Sequence, residues 1–248
     1  MTVAGDVSQP EHVPPSSLDA FAAAMSSVLE KCVWSQGMTH ASLVPYLIEE
    51  SYELVEAIEA GTVEEIMEEL GDVLWQVAFH SEIAARTAGE DFDIQDVAAA
   101  VTKKMVRRHP HVFGDETAET PEEVLRLWSA AKAAEKTDRT SALDGIPLGM
   151  PALALADKLL GRAERVGVLP TDLGTVRSST AESSTDAQEF DEQELGAQLL
   201  SIIASARSRG LDAERALRGA LRGLRADIRE REAQTNQPAT VPKASPSK

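Results

Sequence analysis

Acidic residues are concentrated in one stretch of the chain that contains no basic residue. Between Lys31 and Arg86 there is no Lys or Arg, while eleven Glu and Asp residues accumulate. On a helix, residues three or four apart lie on the same side, so acids with that spacing present their carboxylates together. Four of the eleven form two such pairs, which are Glu50 with Glu53 and Glu69 with Asp72.

The two acidic pairs are expected to meet in space. The link between their helices contains only Gly61 and Thr62, and two residues cannot bridge distant elements. The helices must therefore form an antiparallel hairpin that brings the four carboxylates together. Like charges at that distance raise one another's pKa or must be compensated, and hard oxygen ligands of this kind suit Mg²⁺ or Mn²⁺. We interpret the cluster as a metal site.

Two other interpretations of the acidic stretch stay open from spacing alone. Glu is a strong helix former, and Glu-rich helix faces are usually solvated without any ligand. A di-iron bundle would require a Glu-x-x-His repeat. No Glu lies three residues before His40, His80, His109 or His111, so iron is disfavoured.

Basic residues crowd the end of the helix that follows the acidic stretch. Cations near a helix C-terminus complement the helix dipole, which would explain one or two of them. The segment 103–108 has four, which are Lys103, Lys104, Arg107 and Arg108. A carboxylate-held divalent ion faced by Lys and Arg suits a polyphosphate substrate. Because no phosphate-binding G-x-x-x-x-G-K-[ST] loop and no nucleophilic side-chain set is present, an activated water is the more economical nucleophile.

Apolar periodicity predicts helices almost throughout and no strand, so the expected fold class is all-α. The first helix begins at Ser16 or Ser17 and ends near Lys31. The hairpin follows, with Thr62 and Glu65 as a capping box, Gly89 as the expected stop, and a buried line on its second arm formed by Ile66, Leu70, Val73, Leu74 and Val77. Later helices are predicted from Asp93 to before Pro110, from Thr120, over 151–165, over 192–209 and over 212–232.

The overall composition excludes several classes of protein. The 248 residues carry 24 basic and 41 acidic side chains, a net charge of −17, which opposes binding to nucleic acid or to an anionic membrane. No apolar run approaches the ~18 residues that span a bilayer, and Met1 to Pro15 lacks the Lys or Arg of a signal peptide. We therefore expect a cytoplasmic protein. Cys32 is the single cysteine and is interpreted as structural.

Several motifs taken together point to a known family. The segment 32–40 is similar to C-P-W-D-x-x-Q-T-H, and the segment 104–113 to K-x-x-R-R-H-P-H-V-F. The shorter matches are Glu49, Glu50 and Glu53 to E-E-x-x-E, Glu69 and Asp72 to E-L-G-D, and Trp128 and Lys132 to W-x-x-x-K. Over about residues 18–167 the chain resembles the MazG nucleoside triphosphate pyrophosphohydrolases of the all-α NTP-pyrophosphatase superfamily.

The resemblance implies Mg²⁺-dependent hydrolysis of NTPs or dNTPs, standard or damaged, to the monophosphate and pyrophosphate, with Mn²⁺ able to substitute. The implied metal ligands are Glu50, Glu53, Glu69 and Asp72. Glu49 is implied to orient or deprotonate the attacking water, and the implied phosphate-binding residues are Lys104, Arg107 and Arg108. A homodimer built as a four-helix bundle is also implied.

Four further residues are candidates for substrate binding, and these are Trp34, His109, Trp128 and Lys132. Because large aromatics bury readily, the two tryptophans are also interpretable as core residues. His109 could serve packing or phosphate contacts. The competing function is a non-catalytic acidic helical module that binds divalent cations or a partner helix.

The chain is predicted to divide into six segments. These are a flexible N-terminus (1–17), a catalytic MazG-like domain (18–136), a connector with a helix (137–170), a Ser/Thr-rich linker (171–191), a degenerate second MazG-like repeat (192–234) and a disordered tail (235–248). In the second repeat, Glu194 to Gly196 resembles Glu69 to Gly71, but Ala197 stands in the place of Asp72. The places of the three basic residues are taken by Gly223, Ala226 and Asp227, so we expect this copy to be catalytically silent and to serve packing or dimer assembly.

Overall fold

The computed structural model describes residues 17–135, 140–168 and 191–235, and all regular secondary structure in these ranges is helical. The all-α prediction is therefore confirmed. The chain divides into two compact units, 1–135 and 136–248. The predicted N-terminal segment, linker and tail lie almost entirely outside the described residues.

The first unit contains seven of the described helices. They are α1 (Ser17–Lys31), α2 (Val33–Gln36), α3 (His40–Ala60), α4 (Val63–Arg86), α5 (Ile94–Arg108), α6 (Pro110–Phe113) and α7 (Pro121–Ala134). The predicted helix starts at Ser17, Thr62, Asp93 and Thr120 agree with these bounds. Helix α4 ends three residues before Gly89, which has a positive φ of 93° in the following turn.

Helices α3 and α4 form the predicted antiparallel hairpin. The Thr62 hydroxyl accepts a hydrogen bond from the Glu65 N–H at 3.2 Å, and the Glu65 carboxylate accepts one from the Thr62 N–H at 2.6 Å. A side chain at Gly61 would place Cβ 2.8 Å from the Ala57 backbone, so glycine permits this tight link. At the other end of the hairpin, the rings of His40 and His80 stack with centroids 5.0 Å apart.

The hydrophobic core lies at the end of the hairpin away from this turn. It comprises Met25, Leu29, Leu43, Ala78, Phe79 and Ile83, with Phe21 and Met38 packed against it. Helix α1 is also tied to α4 by the Arg86 guanidinium, which donates a hydrogen bond to the Ser26 carbonyl at 2.9 Å. This packing anchors the second half of α4 and leaves its first half to pack on α3.

The prediction that the apolar residues along α4 are buried is wrong for the single chain. Ile66 and Val73 are half-buried, but Leu70, Leu74 and Val77 are 53%, 39% and 38% exposed. Two helices packed side by side bury only the sides that face each other. An exposed apolar row therefore runs along α4, and we call Val63, Met67, Leu70, Leu74 and Val77 the α4 stripe.

The second unit contains α8 (Ala152–Arg165), α9 (Glu192–Ser208) and α10 (Ala213–Thr235). Arg207 on α9 donates hydrogen bonds to Asp157 at 3.0 Å and to Glu164 at 3.1 Å, both on α8. Among the apolar residues of α9, Ile203 and Ala206 are buried, while Leu195, Leu199 and Ile202 are exposed. No helix in the described residues is long and apolar enough to cross a membrane.

Candidate active site

Three carboxylates meet in the middle of the hairpin. Glu50 on α3 and Glu69 and Asp72 on α4 each offer an oxygen, and these oxygens lie within 4.8 Å of one another. The antiparallel hairpin causes this meeting, because the middle of α3 lies beside the middle of α4. All three side chains are half-buried. The structure thus brings together three of the four residues predicted as metal ligands.

The electrostatics of this group require compensation. Burial raises the pKa of Glu50, and the neighbouring charges of Asp72 and Glu53 raise it further. Burial likewise raises the pKa of Glu69, with Glu53 and Asp72 adding to the effect. Glu69 Oε2 is buried and has no hydrogen-bond partner among the described residues. A divalent cation bound by these oxygens would supply both the missing partner and the missing charge, so the donor set fits Mg²⁺.

The fourth predicted ligand, Glu53, lies outside the group of three but close to it. It lines an open cavity of about 290 Å³ toward the turn of the hairpin, together with Glu69, Glu65 and Gly61. Glu53 is exposed, and its charge acts on both Glu50 and Glu69. Glu49, the residue predicted to act on water, is exposed on α3 beside Glu50.

Sequence reasoning missed Gln76. This side chain is only 7% exposed, and its amide partly offsets the rise in the pKa of Glu50. Gln76 lies four residues after Asp72, so helical spacing places it on the same face. That spacing was the available signal, but an uncharged amide inside an apolar run does not stand out. Its Oε1 has no hydrogen-bond partner among the described residues.

The predicted phosphate-binding arginines are held by a residue that sequence reasoning also missed. Glu135, just after α7, accepts a hydrogen bond from Arg107 Nε at 2.6 Å. It also accepts bonds from Arg108 Nε at 3.1 Å and from Arg108 Nη2 at 2.6 Å. These hydrogen bonds and the two positive charges lower the pKa of Glu135 to about 2. No sequence pattern links residues 27 positions apart, so only the packing of α5 beside α7 shows this contact.

The Trp128 ring lies close to two cationic side chains. The Arg108 guanidinium is 5.2 Å from the centroid of the Trp128 ring, and the Lys132 ammonium is 4.6 Å from it. Arg108 itself is only 9% exposed. The structure therefore gathers Arg107, Arg108, Trp128, Lys132 and Glu135 into one group, which we call the arginine cluster.

The remaining predicted site residues lie outside the two groups. Lys104 is exposed on α5, one turn before Arg108. Trp34 is 51% exposed and contacts Tyr46 edge-on with ring centroids 5.9 Å apart. The His109 ring is hydrogen-bonded through Nδ1 to the Met105 carbonyl at 2.7 Å. In the described part of the chain, the ion pairs of Arg107 and Arg108 go to Glu135 and not to the carboxylates of the hairpin.

The sequence of the hairpin and of α5 matches a known protein family. The family profile described as MazG nucleotide pyrophosphohydrolase domain matches residues 38–113. The matched range contains all four predicted metal ligands and Lys104, Arg107 and Arg108, but not Trp34, Trp128, Lys132 or Glu135.

Curated relatives extend the likeness over most of the chain. A nucleoside triphosphate pyrophosphohydrolase of Escherichia coli K12 is 37% identical, with coverage of 76% of each chain. A Thermotoga maritima protein named nucleoside triphosphate pyrophosphohydrolase/pyrophosphatase MazG is 40% identical, covering 78% of this chain and 76% of its own. A Streptomyces cacaoi protein described as an uncharacterized 26.1 kDa protein is 44% identical, covering 88% and 86%. The chain belongs to the MazG family, as the sequence motifs predicted.

The ion pairs of Glu135 should make the stability of the fold depend on acid pH. The folded-state pKa of about 2 lies below the usual value of 4.5, so the unfolded chain takes up a proton first as the pH falls. The stabilisation is therefore complete above about pH 4.5 and is lost progressively toward about pH 2. Urea unfolding of the wild type and of Glu135→Gln at about pH 7 and about pH 3 measures it. The difference in unfolding free energy between the two proteins should shrink at the lower pH, and a constant difference would contradict this assignment.

Proposed function

We propose that this chain hydrolyses nucleoside triphosphates to the nucleoside monophosphate and pyrophosphate. The observation that carries the proposal is the group formed by Glu50, Glu69 and Asp72, in which the pKa of both glutamates is raised and one Glu69 oxygen has no partner among the described residues. Such a group is suited to a divalent cation rather than to a buried structural role. Membership of the MazG family and the names of the relatives support the nucleotide substrate. Such an enzyme would work on the nucleotide pool of the cytoplasm.

In this proposal the cation is held by Glu50, Glu53, Glu69 and Asp72. Mg²⁺ is the expected ion, with Mn²⁺ as a substitute, because carboxylate oxygens suit both. When bound, the ion supplies positive charge that offsets the charge of the phosphate oxygens. Glu53 completes the set, since its charge already acts on Glu50 and Glu69.

The reaction requires a water molecule and a base. Glu49 orients this water and takes its proton, while the water oxygen forms a bond to the α-phosphorus. The bond from the α-phosphorus to the oxygen that bridges to the β-phosphate breaks, and pyrophosphate leaves with that electron pair. Glu49 is suited to this role because its exposed side chain lies next to a ligand on the same helix.

The basic side chains bind the polyphosphate. Arg107 and Lys104 are exposed at the end of α5, and Arg108 lies behind them against Trp128. Arginine offers paired N–H groups that match phosphate oxygens in geometry. Trp34, His109, Trp128 and Lys132 contribute to substrate binding around these groups.

A second copy of the chain covers the α4 stripe. Its members recur at intervals of four and three residues along 63–77, the spacing with which helices pack in bundles. Val63 and Met67 are 77% and 72% exposed, and contiguous apolar rows of this kind mark interaction surfaces. The second copy would supply the two further helices that complete a four-helix bundle.

The second unit is proposed to be a catalytically silent repeat. Ala197 on α9 occupies the place of Asp72, so a ligand is missing from the copy. The places of Lys104 and Arg107 are taken by Gly223 and Ala226 on α10. Neither a cation nor a triphosphate finds its ligands there, and the unit serves packing or assembly.

Replacing a metal ligand should abolish turnover while the fold survives. Glu53→Gln and Asp72→Asn keep the side-chain shape but remove a ligand charge, so kcat should fall by at least about 100-fold. Chromatographic separation of the products of several NTPs with Mg²⁺ provides the measurement, and circular dichroism checks the helix content. Glu64→Gln, an exposed acid in the first turn of α4, is the matched control. Release of orthophosphate and diphosphate by the wild type would rule out the proposed bond cleavage.

A charge in the middle of the α4 stripe should separate the two copies. Leu70→Glu places a carboxylate in the apolar contact, so light scattering should give the mass of one chain where the wild type gives two. Leu148→Glu is the control, because Leu148 is 79% exposed but lies outside any helix. A dimeric Leu70→Glu protein would show that another surface joins the copies.

Removing residues 171–248 should leave pyrophosphate release intact. The deletion removes α9 and α10 but keeps every proposed ligand and phosphate-binding residue. Turnover with Mg²⁺ and the mass by light scattering are measured on the shortened chain. If that chain stays folded and dimeric yet has no activity, the second unit contributes to the active site and the proposed division of roles is wrong.

A further inference from the structure

The arginine cluster contains one acid whose role the proposed reaction does not explain. Glu135 lies between two arginines that are adjacent in sequence, and it bonds to both. A carboxylate beside a phosphate-binding site would ordinarily repel the substrate. Its position therefore calls for a function that outweighs this repulsion.

The contacts of Glu135 leave the terminal edge of the Arg107 guanidinium available. We call this edge, formed by Nη1 and Nη2, the outer edge of Arg107. Of the Arg107 nitrogens, only Nε donates a hydrogen bond to Glu135. The terminal Nη1 and Nη2 atoms have no hydrogen-bond partner in the described part of the chain. The Arg107 side chain is 48% exposed. Arg108, by contrast, donates hydrogen bonds to Glu135 from both Nε and Nη2, and only 11% of the Arg108 side chain is exposed.

We propose that Glu135 is a positioning residue that holds Arg107 with its outer edge directed to a phosphate group. This inference rests on the proposed function. Glu135 accepts hydrogen bonds from Nε and Nη2 of Arg108, which is itself buried and lies over the Trp128 ring, so the carboxylate is a rigid support. Through Glu135, α7 sets the orientation of a guanidinium that α5 carries.

The physical reasons for such a support are charge and flexibility. Arg107 and Arg108 repel each other, and each has a long side chain that loses rotamer freedom when it is fixed. A single carboxylate between them offsets the repulsion and fixes both guanidinium groups before substrate arrives. Preorganised donors bind a charged group more effectively than donors that must first be ordered.

The alternative is that Glu135 competes with phosphate for the arginines. Its bonds use the Nε side of Arg107, whereas a phosphate can approach the opposite side with two parallel N–H bonds. The two arginines carry two positive charges against the one negative charge of Glu135, so the group keeps a net positive charge. Both points favour a role for Glu135 in orienting Arg107 over competition of Glu135 with phosphate.

Titration calorimetry with inorganic pyrophosphate tests the inference without any turnover. We expect Glu135→Gln to weaken pyrophosphate binding by about tenfold, as loss of a supporting residue typically does. In steady-state kinetics the same change should raise KM for the triphosphate more than it lowers kcat. Glu135→Asp keeps the charge on a shorter side chain and should recover part of both effects.

A matched control separates positioning from general stability. Glu82→Gln also removes a carboxylate that accepts from an arginine at 2.6 Å, but its partner is Arg86 on α4. This variant should bind pyrophosphate like the wild type. Thermal unfolding of all variants shows whether each is folded at the assay temperature.

The outcomes distinguish the inference from the proposed function. Tighter pyrophosphate binding by Glu135→Gln would show competition and overturn the inference. Unchanged binding in a folded Glu135→Gln protein would show a purely structural ion pair and would also overturn it, as would a wild type that binds no pyrophosphate. A wild type that binds pyrophosphate in a Glu135-dependent way but hydrolyses no triphosphate would reject the proposed function alone.

Discussion

The crowding of carboxylates in the α3 and α4 hairpin is the constraint on which the rest of the site depends. The negative charge of Asp72 adds to the effect of burial in raising the pKa of Glu50 and of Glu69, so folding brings unfavourable charge together. The Gln76 amide offsets part of this cost by lowering the pKa of Glu50. A chain without a ligand at this place would gain stability by exchanging these acids for apolar residues. The presence of these three carboxylates at one place is understandable if a cation is bound in the functional state.

The hairpin has to be rigid for this crowding to be maintained. Its turn is fixed by the reciprocal bonds of Thr62 and Glu65 and by the close approach of Gly61 to Ala57. Its other end is fixed by the core around Phe79 and by the stacked histidines. The carboxylates lie between these two supports. The half of α4 that carries Glu69 and Asp72 is also the half with the most exposed stripe residues, so a covering copy would support the metal site directly.

Local features of the fold were predictable from the sequence, whereas features that join distant segments were not. The capping box at Thr62, the helix start at Thr120 and the two-residue link of the hairpin depend on neighbouring residues, so their spacing was sufficient. The i, i+3 spacing of the acids likewise predicted that Glu69 and Asp72 share a face. The burial of Leu70 and Leu74 was predicted wrongly, because periodicity shows which side of a helix is apolar but not what covers it. Glu135 was missed for a related reason, since its contact with Arg107 and Arg108 depends on tertiary packing alone.

The net charge of −17 sets a further requirement on the site. A triphosphate is strongly anionic, so the protein as a whole repels it, and binding depends on a local reversal of charge. The structure provides two places where this can happen: the carboxylate group when it holds a cation, and the arginine cluster with its excess of positive charge. Glu135 lowers that excess by one charge, and its retention is reasonable only if orienting Arg107 and Arg108 is worth more to binding than the charge it removes. The acidic surface around the two groups then disfavours weak binding of anions elsewhere on the protein and restricts polyphosphate to the site where the chemistry is proposed.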